Sequence, residues 1–200
     1  MTVDQRVSTF FGVPVEGSPV VIQRHRGALP LLFAGLGYRR GAEIGVWEGS
    51  YSEVICTHMP GVELTCVDPW APYSEYREKK NDPLWLDAAY QKTVARLKPY
   101  GCRIWRMTSA AAAVRVPDRS LDFVYIDGNH GRAFVDEDLA VWAPKIRPGG
   151  ILSGHDYVSS ARKPWIEVKA AVDDFVESHG IAPWYVLTGD KSASWFWVVS

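Results

Sequence analysis

The sequence predicts an α/β fold, a doubly wound and mostly parallel sheet with helices on both faces. Three observations carry this expectation. From Gly41 onward a short apolar run and a stretch of helical periodicity alternate five times in succession, the pattern of repeated strand–helix units. The last two apolar runs, "WYVLTG" and "SWFWVV", are separated only by "DKSA", so they form a hairpin and make one closing strand antiparallel. Polar residues gather at the strand ends: Glu43 to Gly49, Asp68, Met107 to Ser109, Asp127 to His130, and His155 to Tyr157. Sheets of this kind bind ligands beyond the carboxyl ends of their strands.

Residues 1–28 show weak periodicity and several turn formers ("GVPVEGSP"), and "LPLLFAGLGY" at 29–38 reads as a short helix stopped by Gly35 or Gly37. Residues 1–37 are therefore expected to be an arm, lid or dimer contact, and 38–200 a single domain. Within it "AEIGV" leads to a helix from about Ser50 to Thr57. "VELTCVD" leads, after an insertion over 69–86, to a helix with Leu86, Tyr90, Val94 and Leu97 on one face. "CRIWRM" precedes an alanine-rich helical turn at 109–113. "LDFVYID" precedes a helix with Val135, Leu139, Trp142 and Ile146 on one face, its end marked by Pro144 and Pro148. "GGILSGHD" precedes a helix with Trp165, Val168, Val172, Phe175 and Val176 on one side.

The bulk numbers narrow the function. Twenty-two basic and 23 acidic residues among 200 give a net charge of −1, which argues against bulk attraction to nucleic acid or to an anionic membrane. The short basic runs at 38–40 and at 77–80 read as solvated surface. No apolar run approaches the ~20 residues of a membrane span. No basic segment followed by an apolar core marks the N-terminus as a signal peptide, so a cytoplasmic location is the default expectation. Cys56, Cys66 and Cys102 are irregularly spaced and read as reduced thiols.

The first strand end, "GAEIGVWEGS", runs into a glycine-bearing turn. Gly45 and Gly49 are expected to let the backbone approach a ligand closely, and a helix beginning near Ser50 offers unpaired N–H groups. Asp68 follows about 20 residues on, where a carboxylate accepts from ribose hydroxyls; the alternative is a plain Asp-Pro turn. Trp47 and Glu48 would crowd a pyrophosphate, and the glutamate would repel it, so a nucleoside cofactor with a cationic amino-acid end suits the loop better.

"AEIGVWEGSYSE", "CVDPW", "VYIDGNH" and "PGGILSGHDY" together resemble the successive motifs of a class I S-adenosylmethionine-dependent methyltransferase. Within that superfamily they are similar to the small bacterial group of macrolide and sugar O-methyltransferases and cephalosporin-hydroxylase-like proteins. The resemblance, over residues 38–200, implies a Rossmann-like sheet of seven strands in the order 3-2-1-4-5-7-6 with a reversed last strand. It implies that Glu43, Gly45 and Gly49 lie at the methionine end of S-adenosylmethionine, Asp68 at its ribose, and Thr108 and Ser109 near its adenine, with Trp47 and Ser50 also binding the cofactor.

Asp127 and Asp156 end strands expected to be neighbours. Two carboxylates brought together take up a proton or a cation. In the resembling O-methyltransferases acids at these positions hold magnesium or manganese, and the resemblance carries this to Asp127, His155 and Asp156. His155 stands where an acid is more usual, and an imidazole favours manganese, iron or zinc over magnesium; otherwise His155 packs beside the cofactor and Asp156 caps its loop. Asp127 also falls beside the cofactor, and His130 is the expected base for the acceptor's proton, since an imidazole titrates near neutrality. The bland alternative for His130 is hydrogen bonding at a helix N-terminus.

Trp70, Tyr73, Tyr76 and Trp85 in the insertion suit either a flat small-molecule acceptor or a homodimer interface. The expected activity is O-methylation of a small-molecule hydroxyl with divalent-metal assistance. Rival readings are a metal-independent N- or O-methyltransferase, an NAD- or nucleotide-sugar-dependent oxidoreductase, and a ligand-binding protein without chemistry.

Overall fold

A computed structural model describes residues 1–73 and 81–200, so Tyr76 and the basic run at 77–80 lie outside the described residues. The chain begins with α1 (Val3–Phe11), β1 (Val20–Ile22), α2 (Ala28–Leu36), β2 (Arg40–Ile44), α3 (Ser50–His58) and β3 (Glu63–Asp68). It continues with α4 (Pro83–Leu97), β4 (Arg103–Arg106), α5 (Ser109–Ala113), β5 (Leu121–Ile126) and α6 (Arg132–Trp142). It ends with β6 (Ile146–Gly154), α7 (Val168–Ser178), β7 (Tyr185–Leu187) and β8 (Ser194–Val198).

The described strands form one sheet of eight in the order β1-β7-β8-β6-β5-β2-β3-β4, with β8 antiparallel to both its neighbours. From β7 to β4 this is the expected order. The expected count of seven is corrected by β1, which pairs in parallel with β7, Val20 opposite Tyr185 and Ile22 opposite Leu187. Three residues give no readable periodicity: Val20 and Ile22 are buried and Val21 is exposed only because β7 lies beside them. The segment expected to be an arm thus supplies a strand, and its helices pack on the sheet. One face carries α1 to α4, with Val7, Phe33, Ile55 and Leu97 in its core, and the other carries α5 to α7, with Ala112, Leu139, Trp142 and Val172.

Local chemistry explains two shifts from the expected pattern. In α4 the buried positions are Leu86, Ala89, Thr93 and Leu97, with Ala89 and Thr93 in place of Tyr90 and Val94. Thr93 tolerates burial because its hydroxyl donates to the carbonyls of Trp47 and Ala89 at 2.7 and 3.0 Å. The helix itself starts where Asp82 Oδ1 accepts from the amides of Leu84 and Trp85 and Pro83 takes the first position. Ile146, expected on α6, instead opens β6, because α6 ends at Trp142 and Pro144 follows in a single 3-10 turn. Trp165, expected on α7, precedes that helix.

Candidate functional site

The ends of β2, β3, β5 and β6 surround a cavity of about 850 Å³. Glu43, Gly45, Trp47, Ser50, Asp68, Thr108, Ser109, Asp127, His130, His155 and Asp156 all line it. Gly49 is not on its wall.

The turn after β2 is held by protein contacts. Gly45 has φ 86°, and a Cβ there would fall 2.1 Å from the carbonyl oxygen of Asp127, so the glycine serves the contact between two strand ends. A Cβ on Gly49, φ 75°, would meet Thr93 Cγ2 at 3.2 Å, so this position serves the packing of α3 on α4. Trp47 takes φ 55° without being glycine, and three hydrogen bonds hold it there. Its amide donates to Asp68 Oδ2 at 2.9 Å, and its carbonyl accepts from Trp70 Nε1 and Thr93 Oγ1, both at 2.7 Å. Asp68 also accepts from the amides of Val46 at 3.1 Å and Trp70 at 2.8 Å. The carboxylate expected at a ribose therefore braces the turn while forming part of the cavity wall. Trp70 is 1% exposed, which makes it wall and core rather than a docking face, and Trp85 packs on the Trp47 ring.

Glu43 is buried and accepts from Ser52 Oγ. Burial pushes its carboxyl up to about 8, the Ser52 hydrogen bond offsetting only part of this, so at neutral pH it is mostly protonated.

The acidic residues meet as expected from neighbouring strands, since Ile126 of β5 is opposite Gly154 of β6. His130 Nε2 lies 3.0 Å from Asp156 Oδ2 and 3.6 Å from Asp127 Oδ1. His155 Nδ1 lies 3.3 Å from Asp156 Oδ2 and 3.7 Å from Asp127 Oδ1. Ligand atoms of Asp127, His130 and Asp156 all fall within 4.8 Å of one another. The structure thus brings both His130 and the expected His155 within 3.7 Å of the two acids. For Asp156, burial alone would raise the carboxyl, but hydrogen bonds and charge from His130 and His155 hold it well below the usual carboxylate range. Two carboxylates and an imidazole form a donor set that fits a divalent ion of the manganese, iron or zinc type.

Sequence reasoning missed two residues. Arg26 sits between β1 and α2, with Nη1 3.0 Å from Asp127 Oδ2 and its guanidinium 4.7 Å from the centre of the Tyr51 ring. The β7–β8 turn fastens it: Asp190 Oδ2 accepts from the Arg26 amide at 2.6 Å, and the Gly189 amide donates to the Arg24 carbonyl at 2.9 Å. No local pattern marks "QRHRG" as part of a site, because the pairing of β1 with β7 alone brings it there. The second is Asp138 on α6, a buried carboxylate on the cavity wall whose Oδ1 accepts from Ser109 Oγ. A charged residue on the helix's apolar face was the available signal.

A family profile described as "Methyltransferase domain" matches residues 42–157. No curated protein matches the sequence. Among solved structures the chain is similar to a protein provisionally described as a caffeoyl-CoA O-methyltransferase from Staphylococcus aureus, at 15% identity and TM-score 0.65, over 99% of this chain and 91% of that one. It is similar to TomG of Streptomyces achromogenes, an O-methyltransferase of tomaymycin synthesis in complex with SAM, at 16% identity and TM-score 0.56, over 99% and 88%. It is also similar to an O-methyltransferase family protein from Burkholderia thailandensis, at 14% identity and TM-score 0.60, over 87% and 55%. At these identities the likeness is one of fold.

Proposed function

The chain belongs to the methyltransferase domain family, and from that premise we propose that it methylates a hydroxyl of a small-molecule acceptor, with S-adenosylmethionine as donor and a divalent cation beside the acceptor. The observation that carries the reading is the convergence of Asp127, His130 and Asp156 on one point of the cavity wall. These three residues would hold the ion. The chemistry it would supply is orientation and polarisation of the acceptor oxygen, which lowers the pKa of the hydroxyl. Arg26 keeps Asp127 Oδ2 occupied and so turns Oδ1 toward His130 and His155. His155, beside Asp156, is then the imidazole left to accept the hydroxyl proton. The rest of the rate comes from holding donor and acceptor in line in a cavity that excludes bulk water.

One observation favours a metal-independent variant. Arg26 already faces Asp127, and two imidazoles already face Asp156, so protein groups already occupy carboxylate oxygens of both acids. In that variant His130 is the general base, oriented by Asp156. Near-neutral net charge favours a small acceptor over nucleic acid in both.

The test is transfer of labelled methyl to a panel of hydroxyl acceptors, with and without chelator. The ion-assisted reading expects chelator to abolish turnover and manganese to restore it at least as well as magnesium. Full activity in chelator selects the variant, in which His130→Ala lowers the rate about 10²-fold or more. No transfer to any hydroxyl, together with transfer to amines, would reject O-methylation.

A further inference from the structure

The three cysteines of the chain are irregularly spaced in sequence, and all are free thiols. The fold brings them together between α3, β3 and the turn that enters β4. Cys56 Sγ on α3 lies 3.4 Å from Cys102 Sγ, and Cys66 adjoins Cys102 from β3. Their surroundings set them apart. Cys66 is wholly buried, and its strand is paired on both sides, with Glu43 of β2 and Ile104 of β4 opposite it. Its thiol donates to Ser52 Oγ at 3.5 Å, and Ser52 in turn donates to Glu43. Cys102 is half-buried and lies outside the strands, directly after Gly101. Gly101 has φ 69° and nothing within 4 Å of an added Cβ, so this turn is open to solvent and loosely packed. Cys56 is buried on the last turn of α3, beside Thr57, whose hydroxyl meets that of Tyr100 at 3.3 Å on the exposed rim.

Sulfur atoms 3.4 Å apart need only a small approach to reach the ~2.0 Å of a disulfide. The turn at Cys102 can supply that approach, whereas a strand paired on both sides cannot. We propose that Cys56 and Cys102 are a peroxide-reactive pair, with Cys102 the nucleophile and Cys56 the partner that closes a reversible disulfide. Hydrogen bonds from the Cys56 and Cys66 thiols pull the Cys102 thiol well below its usual range, outweighing its partial burial. The bond to Cys102 and burial push the other two thiols up, so they stay protonated. In the first step the Cys102 thiolate attacks one oxygen of hydrogen peroxide. An S–O bond forms, the O–O bond breaks, and the departing hydroxide takes up a proton to become water. In the second step the Cys56 sulfur attacks the Cys102 sulfur. The S–S bond forms, the S–O bond breaks, and the hydroxide leaves as water with the Cys56 proton. The two thiols are oxidised by two electrons, and the peroxide is reduced to two waters.

The experiment exposes the folded full chain to hydrogen peroxide, maps disulfides by mass spectrometry of a non-reducing digest, and repeats the treatment in urea. In urea the unfolded chain should favour Cys56–Cys66, which closes the shortest loop. The folded chain should instead give Cys56–Cys102, reversed by dithiothreitol, with Cys66 still open to alkylation once the protein is unfolded. Loss of the Cys102 thiol should be about tenfold faster than that of free cysteine at neutral pH. In Cys56→Ser the reaction should stop at the sulfenic acid, which dimedone traps at Cys102, and in folded Cys102→Ser dimedone should trap nothing. A link to Cys66 in the folded protein, trapping at Cys56 in place of Cys102, or a rate no faster than that of free cysteine overturns the proposal. If a variant does not fold, the disulfide map of the folded wild type decides alone.

Discussion

At the scale of single residues, the site is built from groups whose protonation the fold has moved. Glu43 shows the consequence for stability. Its carboxyl titrates near 8 in the folded protein against the usual value of 4.5, because burial disfavours the charged form. The folded state therefore holds the proton more tightly than the unfolded chain. The resulting stabilisation is full below the unfolded pKa and is lost as pH rises through about 8. Asp138, pushed up to about 7, acts with the same sign. Melting temperature should fall between pH 5 and 8 in the wild type. In Glu43→Gln that fall should be smaller, the matching loss of unfolding free energy across the window being less by on the order of a few kcal/mol. An identical pH slope in both proteins would mean that Glu43 is not buried as a neutral acid. Asp127, Asp156, Glu43 and His130 were legible as site residues from their places at strand ends. The protonation of Glu43 and Asp156 was not, because burial depends on what packs above them.

At the scale of elements, the turn between β2 and α3 was legible as a motif, but the purpose of its glycines was not. "AEIGVWEGS" reads as a loop cleared for a ligand. The structure shows a clearance at Gly45 for the main chain of Asp127, and at Gly49 for α4. The sequence cannot display this, since Asp127 lies 82 residues away and its carbonyl arrives only when β2 and β5 pair. Comparison of two alanine substitutions separates strain from collision. Gly61 has φ 78° and nothing within 4 Å of an added Cβ, so Gly61→Ala should cost about 1 kcal/mol from backbone conformation alone. Gly45→Ala adds a collision at 2.1 Å with backbone that cannot step aside, and should cost roughly 3 kcal/mol or more in denaturant unfolding. Equal costs would place the two turns in the same class and remove the argument from close approach.

At the scale of the whole molecule, the N-terminal segment closes the sheet and completes the site. The β7–β8 turn holds the Arg26 backbone through Asp190, and Arg26 holds Asp127. This series of contacts predicts that Asp190→Ala lowers the methyl-transfer rate about tenfold through a misplaced Asp127. Affinity for S-adenosylhomocysteine should stay within about twofold, because Asp190 does not line the cavity. Equal loss of rate and of cofactor affinity would assign Asp190 a merely structural role. No helix among the described residues is long and apolar enough to cross a membrane. The sequence by itself determined the alternation of strands and helices, the reversed β8 and the acids at the strand ends. Those features follow from local periodicity and from the rules that parallel strands obey. Only the tertiary structure decided that β1 is a strand, that Arg26 faces Asp127, that His130 groups with both acids, and that Asp138 stands at the cavity wall. Each of these depends on contacts between residues far apart in the chain, and such contacts leave no mark on the periodicity of the segments that make them.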